Sequence, residues 1–316
     1  MHPRAVLRTV LAKSQSEGVG ATVRRSIGTP RLRNLSPFLM MDHFTIRPGA
    51  GFPDHPHRGQ ETVTYLLSGA GVDHEDFAGH RGTIKPGDLQ FMTAGKGVMH
   101  AEMPHIPEGV EEGDVAETTG LQLWLDLPRE LKKCEPRYRD LRGDTIPEVR
   151  QDDGKVTVKV VSGESQGVRF PEDASKEVFT LTPMWFLDVT VRPGGTLRQP
   201  VPVGWTVIAY ILEGKVSFTQ SNVEDDESGD QGLVPEYHTV VFKTEGDHIY
   251  ATAKDKTARF VLLAGQPLDQ PVVQYGPFVC STEEEIYQAL LDFQTASNGF
   301  ERARGWRSEI GKRMAY

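Results

Sequence analysis

The sequence predicts an all-β chain of two tandem small barrels followed by one helix near the C-terminus. Three observations predict it. Most of residues 5–125 reads as short β-prone runs, such as Ala21–Ile27, 62–67, 88–92 and 120–127, broken by Gly, Pro and Asp. Frequent turns between short strands are the pattern of sandwiches and barrels, and 32 Gly and 21 Pro in 316 residues supply those turns. The chain also repeats itself. Slid so that Arg47-Pro48-Gly49 meets Arg192-Pro193-Gly194, it brings Gly59, Tyr65, Leu67 and Gly69 without a gap onto Gly204, Tyr210, Leu212 and Gly214. A self-match over a turn and a strand indicates two copies of one fold. Finally, Thr282-Glu283-Glu284-Glu285 fits a capping box, and Ile286, Ala289, Leu290 and Phe293 follow as one apolar stripe at helical spacing. Gly299 lies where that helix is expected to stop.

Taken in order, residues 1–135 form the first expected barrel and residues 136–275 the second, with residues 276–316 as a helical extension. Between the barrels, Pro128-Arg129-Glu130-Leu131 and Glu135-Pro136-Arg137-Tyr138 are charged and Pro-punctuated, as in a linker. Strand-like sequence returns at 156–161 and 185–191. Residues 222–232, acidic and Gly-containing, read as a solvated loop inserted in the second copy.

Composition narrows the function. A formal net charge of −9 argues against a binder of phosphate backbones, which needs a basic face. Cys134 and Cys280 are the only cysteines and have no metal or disulfide spacing, which fits a reducing compartment. No apolar run approaches the roughly 20 residues that span a bilayer. The first residues, Met1 to Arg8, lack a secretory apolar core. The expectation is an intracellular monomer with no membrane and no direct nucleic-acid contact.

The chemistry concentrates at His55-Pro56-His57 and His100-Ala101-Glu102. Side chains two apart on an extended chain share a face, so each pair can aim both its members at one point. In a small barrel, inward side chains of neighbouring strands converge. Three imidazoles and a carboxylate make a compact N/O site with open positions, suited to Fe, Mn, Ni or Co. In the second copy, His55 meets Pro200 and His57 meets Pro202. One metal per chain is therefore expected, in the first half. Spacing alone leaves open whether Glu102 or Glu61, which shares parity with His57, is the carboxylate ligand. The Gly59 turn can break that parity.

Other residues have structural readings. His74 and His80 flank a charged turn and orient it. His43, His238 and His248 are core or surface histidines. Trp124, Met92 and Met99 read as core, and Arg24 and Arg25 as a solvated strand face.

Gly49, the HxH pair, Glu61 and Gly69, with Lys85-Pro86-Gly87-Asp88 and the run Gly95-Lys96-Gly97-Val98-Met99-His100, match the two motifs of the cupin superfamily in outline. More specifically, residues 55–69, 89–104 and Tyr275-Gly276-Pro277-Phe278-Val279 resemble the pirin family, as do Arg24-Arg25-Ser26-Ile27-Gly28 and Asn298-Gly299-Phe300-Glu301-Arg302-Ala303. The resemblance runs over nearly the whole chain. It implies a bicupin of two double-stranded β-helix (jelly-roll) barrels, with one Fe(II)/Fe(III) in the first and no metal in the second; Mn, Ni, Co or Cu are alternatives. It carries the ligand set over to His55, His57, His100 and Glu102, and leaves Glu61 as an outer residue or proton acceptor.

It further implies quercetin 2,3-dioxygenase activity, in which O₂ opens a flavonol ring and carbon monoxide is lost, with Glu102 or Glu61 taking the phenolic proton. The alternative it implies is a nuclear or cytoplasmic iron-dependent, redox-sensing co-regulator that docks on a transcription-factor complex. A storage cupin with an incidental metal is the third reading.

Overall fold

The structure is a computed structural model that describes residues 2–170, 179–218 and 232–313. The acidic run 222–232 falls outside them except for Gly232. Two double-sheet jelly rolls follow one another. In the first, a seven-stranded antiparallel sheet runs in the order Arg137–Leu141, Leu89–Thr93, Gln60–Ser68, Thr118–Asp126, Phe38–Ile46, Ala21–Ile27, Ser14–Glu17. A four-stranded sheet accompanies it, in the order Phe52–His57, Val98–Pro104, Val72–Asp76, Arg81–Ile84. The second barrel repeats this plan. Thr206–Glu213, Ala258–Gly265 and Met184–Val191 are central in its large sheet, and Thr196–Pro200 pairs with His248–Thr252 in its small one.

Period-2 patterning explains the packing. On the strand Gln60–Ser68, Val63 and Tyr65 join Ile208 and Tyr210 of the matching strand in one apolar core between the barrels. The repeat extends to polar partners: Tyr65 donates its hydroxyl to Asp188 at 2.7 Å, and Tyr210 stands 3.2 Å from the His43 Nδ1. Burial first, then the Arg24 charge, lowers the His43 pKa to about 4. His43 thus belongs to the seam and stays neutral.

On the opposite face the copies diverge. Val207, Ala209 and Ile211 fill the interior of the second barrel with other aliphatic side chains. In the repeat, Val207 and Ala209 meet the buried Thr62 and Thr64 of the first barrel, while Ile211 meets the buried Leu66. The first interior is thus polar around the histidines and apolar at its other end, where Leu66 packs with Phe44, Val72 and Ile84.

The strands do not part at residue 135. Val6–Leu11 pairs with His238–Phe242 of the second barrel, and Arg137–Leu141 pairs with Leu89–Thr93 of the first. Each barrel's large sheet thus ends on a strand from the far side of residue 135. This covers edges that would otherwise present bare backbone groups.

The helix spans Glu283–Thr295, with the Thr282 side chain accepting from the Glu285 N–H as its cap. The reciprocal bond goes to the Ser281 N–H, at 2.8 Å from the Glu285 carboxylate. The stripe packs as expected: Ile286 and Ala289 are buried with Phe278 and Phe300, and Leu290 and Phe293 pack against them. The helix ends earlier than Gly299. Ala296 already adopts the left-handed conformation, at φ 52°. The reason is Asp292, whose carboxylate receives Arg58 at 2.7 Å and Asn298 at 2.8 Å and draws the following chain back onto the first barrel.

Candidate metal centre

His55 and His57 lie on Phe52–His57, the edge strand of the small sheet. An edge strand tolerates Pro53 and Pro56, which lack the N–H that a central strand must donate. His100 lies on Val98–Pro104, directly opposite His55 in the ladder. The donor atoms of His55, His57 and His100 all fall within 4.8 Å of one another, and the ring centroids are 4.4–5.0 Å apart.

A backbone hydrogen bond prepares His55 for an ion. The His55 Nδ1 sits 2.8 Å from the Pro53 carbonyl. A carbonyl only accepts, so Nδ1 carries the proton and Nε2 keeps its lone pair. That Nε2 is 2.9 Å from the His100 Nε2. Two imidazole nitrogens sharing one ion at bonds of about 2.1 Å, at right angles, stand about 3 Å apart. The His57 Nδ1 lies 2.7 Å from the Gln60 amide, while its buried Nε2 has no partner among the described residues. An orphaned buried polar atom costs about 1–3 kcal/mol and calls for an explanation. A bound divalent ion is the explanation that the donor set fits.

Burial, and secondly the neighbouring imidazoles, hold the pKa values of His57 and His100 well below the ordinary 6.5. Both rings are neutral at pH 7, as ligation requires. The unfolded chain takes protons near pH 6.5 that these folded rings refuse, so their contribution is complete above that pH. It is lost as the pH falls through the unfolded value toward the lowered ones. The metal-free protein is expected to have a lower urea midpoint at pH 5.5 than at pH 7.5. The fall should be smaller in His57→Ala, which lacks one of the two groups.

The two carboxylates part company. Glu102 shares the face of His100 and is buried, but it is not in the group whose donor atoms all lie within 4.8 Å of one another. Its oxygens accept from the Gln122 Nε2 at 3.0 and 3.3 Å and from the Thr64 hydroxyl at 3.4 Å. Glu61 points elsewhere. It accepts from the Thr93 hydroxyl at 2.6 Å and from the backbone N–H groups of Leu181 and Thr182 at 2.9–3.2 Å. Burial pushes its pKa up, against these donors.

Gly59 is the cause of this orientation. With φ at 78° and the Val279 carbonyl 1.9 Å from where a Cβ would stand, it turns the chain from one sheet to the other. After the turn Gln60 faces His57, so Glu61, next along the strand, faces the seam. The assignment of Glu61 as a proton acceptor at the metal is therefore corrected: it ties the barrels together. Glu61→Ala, which strands two backbone donors, is expected to cost about 2–4 kcal/mol and to leave metal content unchanged, read by denaturation and metal analysis.

Sequence reasoning missed Gln60, Gln122 and Trp124. Trp124, expected in the core, is half-buried, stands edge-on to His57 with centroids 5.1 Å apart, and donates to the Gln122 Oε1 at 3.1 Å. The signal was present: along Leu121-Gln122-Leu123-Trp124-Leu125 the leucines face the seam, so Gln122 and Trp124 face the interior. His80 serves the charged turn, its Nδ1 2.9 Å from Asp76, whereas His74 is buried opposite Glu102 in the ladder and stacks on Tyr138 with ring centroids 6.2 Å apart. A cavity of about 1160 Å³ opens beside the centre, lined among others by His55, His57, Trp124, Gln122, Phe44 and Phe52.

Paired jelly rolls, with imidazoles converging in one and aliphatic side chains filling the other, define a bicupin with a single three-histidine centre among the described residues. The family models "Pirin" and "Pirin C-terminal cupin domain" match residues 20–125 and 186–299. The chain is 49% identical to Pirin of Homo sapiens over 98% of both chains. A crystal structure of quercetin 2,3-dioxygenase from Acinetobacter baumannii superposes with a TM-score of 0.80 at 30% identity, covering 93% of this chain and 98% of that one. A bacterial pirin from Escherichia coli in complex with nickel(II), 17% identical with a TM-score of 0.62 over 83% and 99% of the chains, shares the fold. The chain belongs to the pirin family.

Proposed function

We propose that this chain is a metal-dependent dioxygenase that opens the ring of a flavonol-like substrate with O₂, working as an intracellular monomer. The observation that carries the reading is the joining of the three-histidine group to an open cavity of about 1160 Å³. Small-molecule pockets of about 300–1,000 Å³ already enclose drug-sized ligands, so a multi-ring phenol fits. The likeness to the A. baumannii quercetin 2,3-dioxygenase supports the same reaction class.

His55, His57 and His100 would hold the ion, with Glu102 as its carboxylate ligand, and iron is the proposed metal. When bound, iron supplies Lewis-acid activation of a phenol and redox chemistry toward O₂. The protein supplies the rest. Gln122, fixed by Trp124, orients the Glu102 carboxylate, the group proposed to accept the phenolic proton. Trp124, Phe44 and Phe52 offer aromatic faces to a planar ring and keep water from it.

Aerobic incubation of iron-loaded protein with quercetin is expected to consume the flavonol and release carbon monoxide. Equal turnover by folded, metal-free His57→Ala would overturn the reading.

A second reading is a cytoplasmic or nuclear co-regulator that senses iron oxidation state and contacts a transcription-factor complex. Its support is the exposure of Tyr275, Tyr287 and Leu291 on the hairpin and helix beside the cavity mouth, the kind of surface that a protein partner covers. Partner affinity that does not change between Fe(II) and Fe(III) protein removes it.

A further inference from the structure

The cavity does not end at the histidines. Its lining includes a second polar cluster, Glu17, Arg25 and Asp42, which the metal centre does not use. Arg25 lies opposite Asp42 in the ladder, Asp42 opposite Gln122, and Gln122 holds Glu102. Neighbouring strands are about 4.8 Å apart, so the Arg25 backbone stands about 10 Å from that of Gln122. Between them runs an inward face carrying Met40, Phe44 and Trp124.

The hydrogen bonds of the cluster are incomplete in one place. Arg25 donates from Nε to the Asp42 Oδ1 at 2.9 Å, and from Nη2 to the Asp42 Oδ2 and the Glu17 Oε2, each at 2.7 Å. A guanidinium carries five N–H donors, and these three bonds leave Nη1 without a hydrogen bond among the described residues. The carboxylate oxygens keep unused lone pairs. The side chains of Arg25 and Asp42 are 21% and 6% exposed, so both are held in place by the barrel, while that of Glu17 is 38% exposed.

We infer that Arg25, with Asp42 and Glu17, is the specificity-determining group for the end of the substrate remote from the metal, and that it selects a ring bearing hydroxyl groups. This rests on the dioxygenase reading for the identity of the substrate's other end. A hydroxyl both accepts and donates: it receives an N–H from the Arg25 Nη1 and gives its O–H to Asp42 or Glu17. A carboxylate can only accept, and it meets two acids and one base, a cluster of net charge −1. A bare ring makes neither bond.

Two flavonols separate these cases. Quercetin and galangin share the hydroxy-ketone portion and differ in the two hydroxyls of the outer ring, which galangin lacks. Affinity is read by quenching of tryptophan fluorescence, on metal-free and iron-loaded protein, beside turnover. Arg25→Lys keeps the positive charge and removes the Nη1 donors. The ratio of quercetin to galangin affinity is expected to fall by about tenfold or more, the size of a lost hydrogen bond to a charged group. Equal losses for both flavonols, or no loss for quercetin, overturn the inference.

Glu17→Gln, at the most exposed member, tests the charge argument separately. A flavonol carrying a carboxylate on the outer ring is expected to gain about fivefold in affinity, the effect of one charge near 4 Å in water. No gain overturns the charge argument. Wild-type protein that discriminates the flavonols in binding but turns over neither removes the dioxygenase reading and keeps this one.

Discussion

His57→Ala is expected to fold and to purify without its ion. His57 is the most deeply buried of the three imidazoles, at 1% exposure, and its Nε2 has no partner among the described residues. Removing the ring creates a small cavity but also removes an orphaned polar atom, and these effects oppose each other. The fold of the metal-free variant should therefore stay close to that of the metal-free wild type. Metal affinity should not. Loss of a mere outer partner of a ligand costs about 10–100-fold, and loss of the ligand itself more than about a hundredfold. Metal analysis after dialysis against a weak chelator should read one ion per wild-type chain and none in the variant. A variant that keeps its full complement would show that the ion is held elsewhere.

The second large effect is on stability, at a residue next to the centre. Arg58→Met is expected to lower the stability of the fold by about 3–5 kcal/mol, because it leaves the buried Asp292 carboxylate without its charge partner. The side chains of Arg58 and Asp292 are 8% and 5% exposed and meet at 2.7 Å. The same guanidinium donates to the carbonyls of Lys96 and Asn298 and lies over the Phe300 ring, 4.7 Å from its centroid. These contacts pin the C-terminal helix to the barrel that holds the histidines, immediately after His57. Urea denaturation should give a clearly lower midpoint for Arg58→Met. The double variant Arg58→Met/Asp292→Leu should recover part of it, since an apolar pair carries no stranded charge. An unchanged midpoint in the single variant would mean that the pair is worth no more than a surface ion pair.

Much of this was legible in the residues. The repeat showed two copies of one fold, with Pro200 and Pro202 opposite His55 and His57. The two-residue spacing of His55-Pro56-His57 was enough to bring both rings together, since a strand has no other way to place them. Glu61 was not legible from spacing. Parity carries only as far as the strand stays extended, and Gly59 turns the chain between two sheets. The exchange of Val6–Leu11 and Arg137–Leu141 was not legible either, because an edge strand finds its partner through tertiary packing. Arg25 read as a solvated strand face, yet Asp42 across the ladder draws it to the cavity.

That exchange has a consequence for how the molecule comes apart. Pulling either jelly roll away from its neighbour must strip a strand from a sheet and expose the seam around Tyr65 and Tyr210. The halves are thus laced rather than docked, and neither is a portable module. Heating should melt both in one step, and an ion bound by the front histidines would thereby lend its binding energy to the rear half as well.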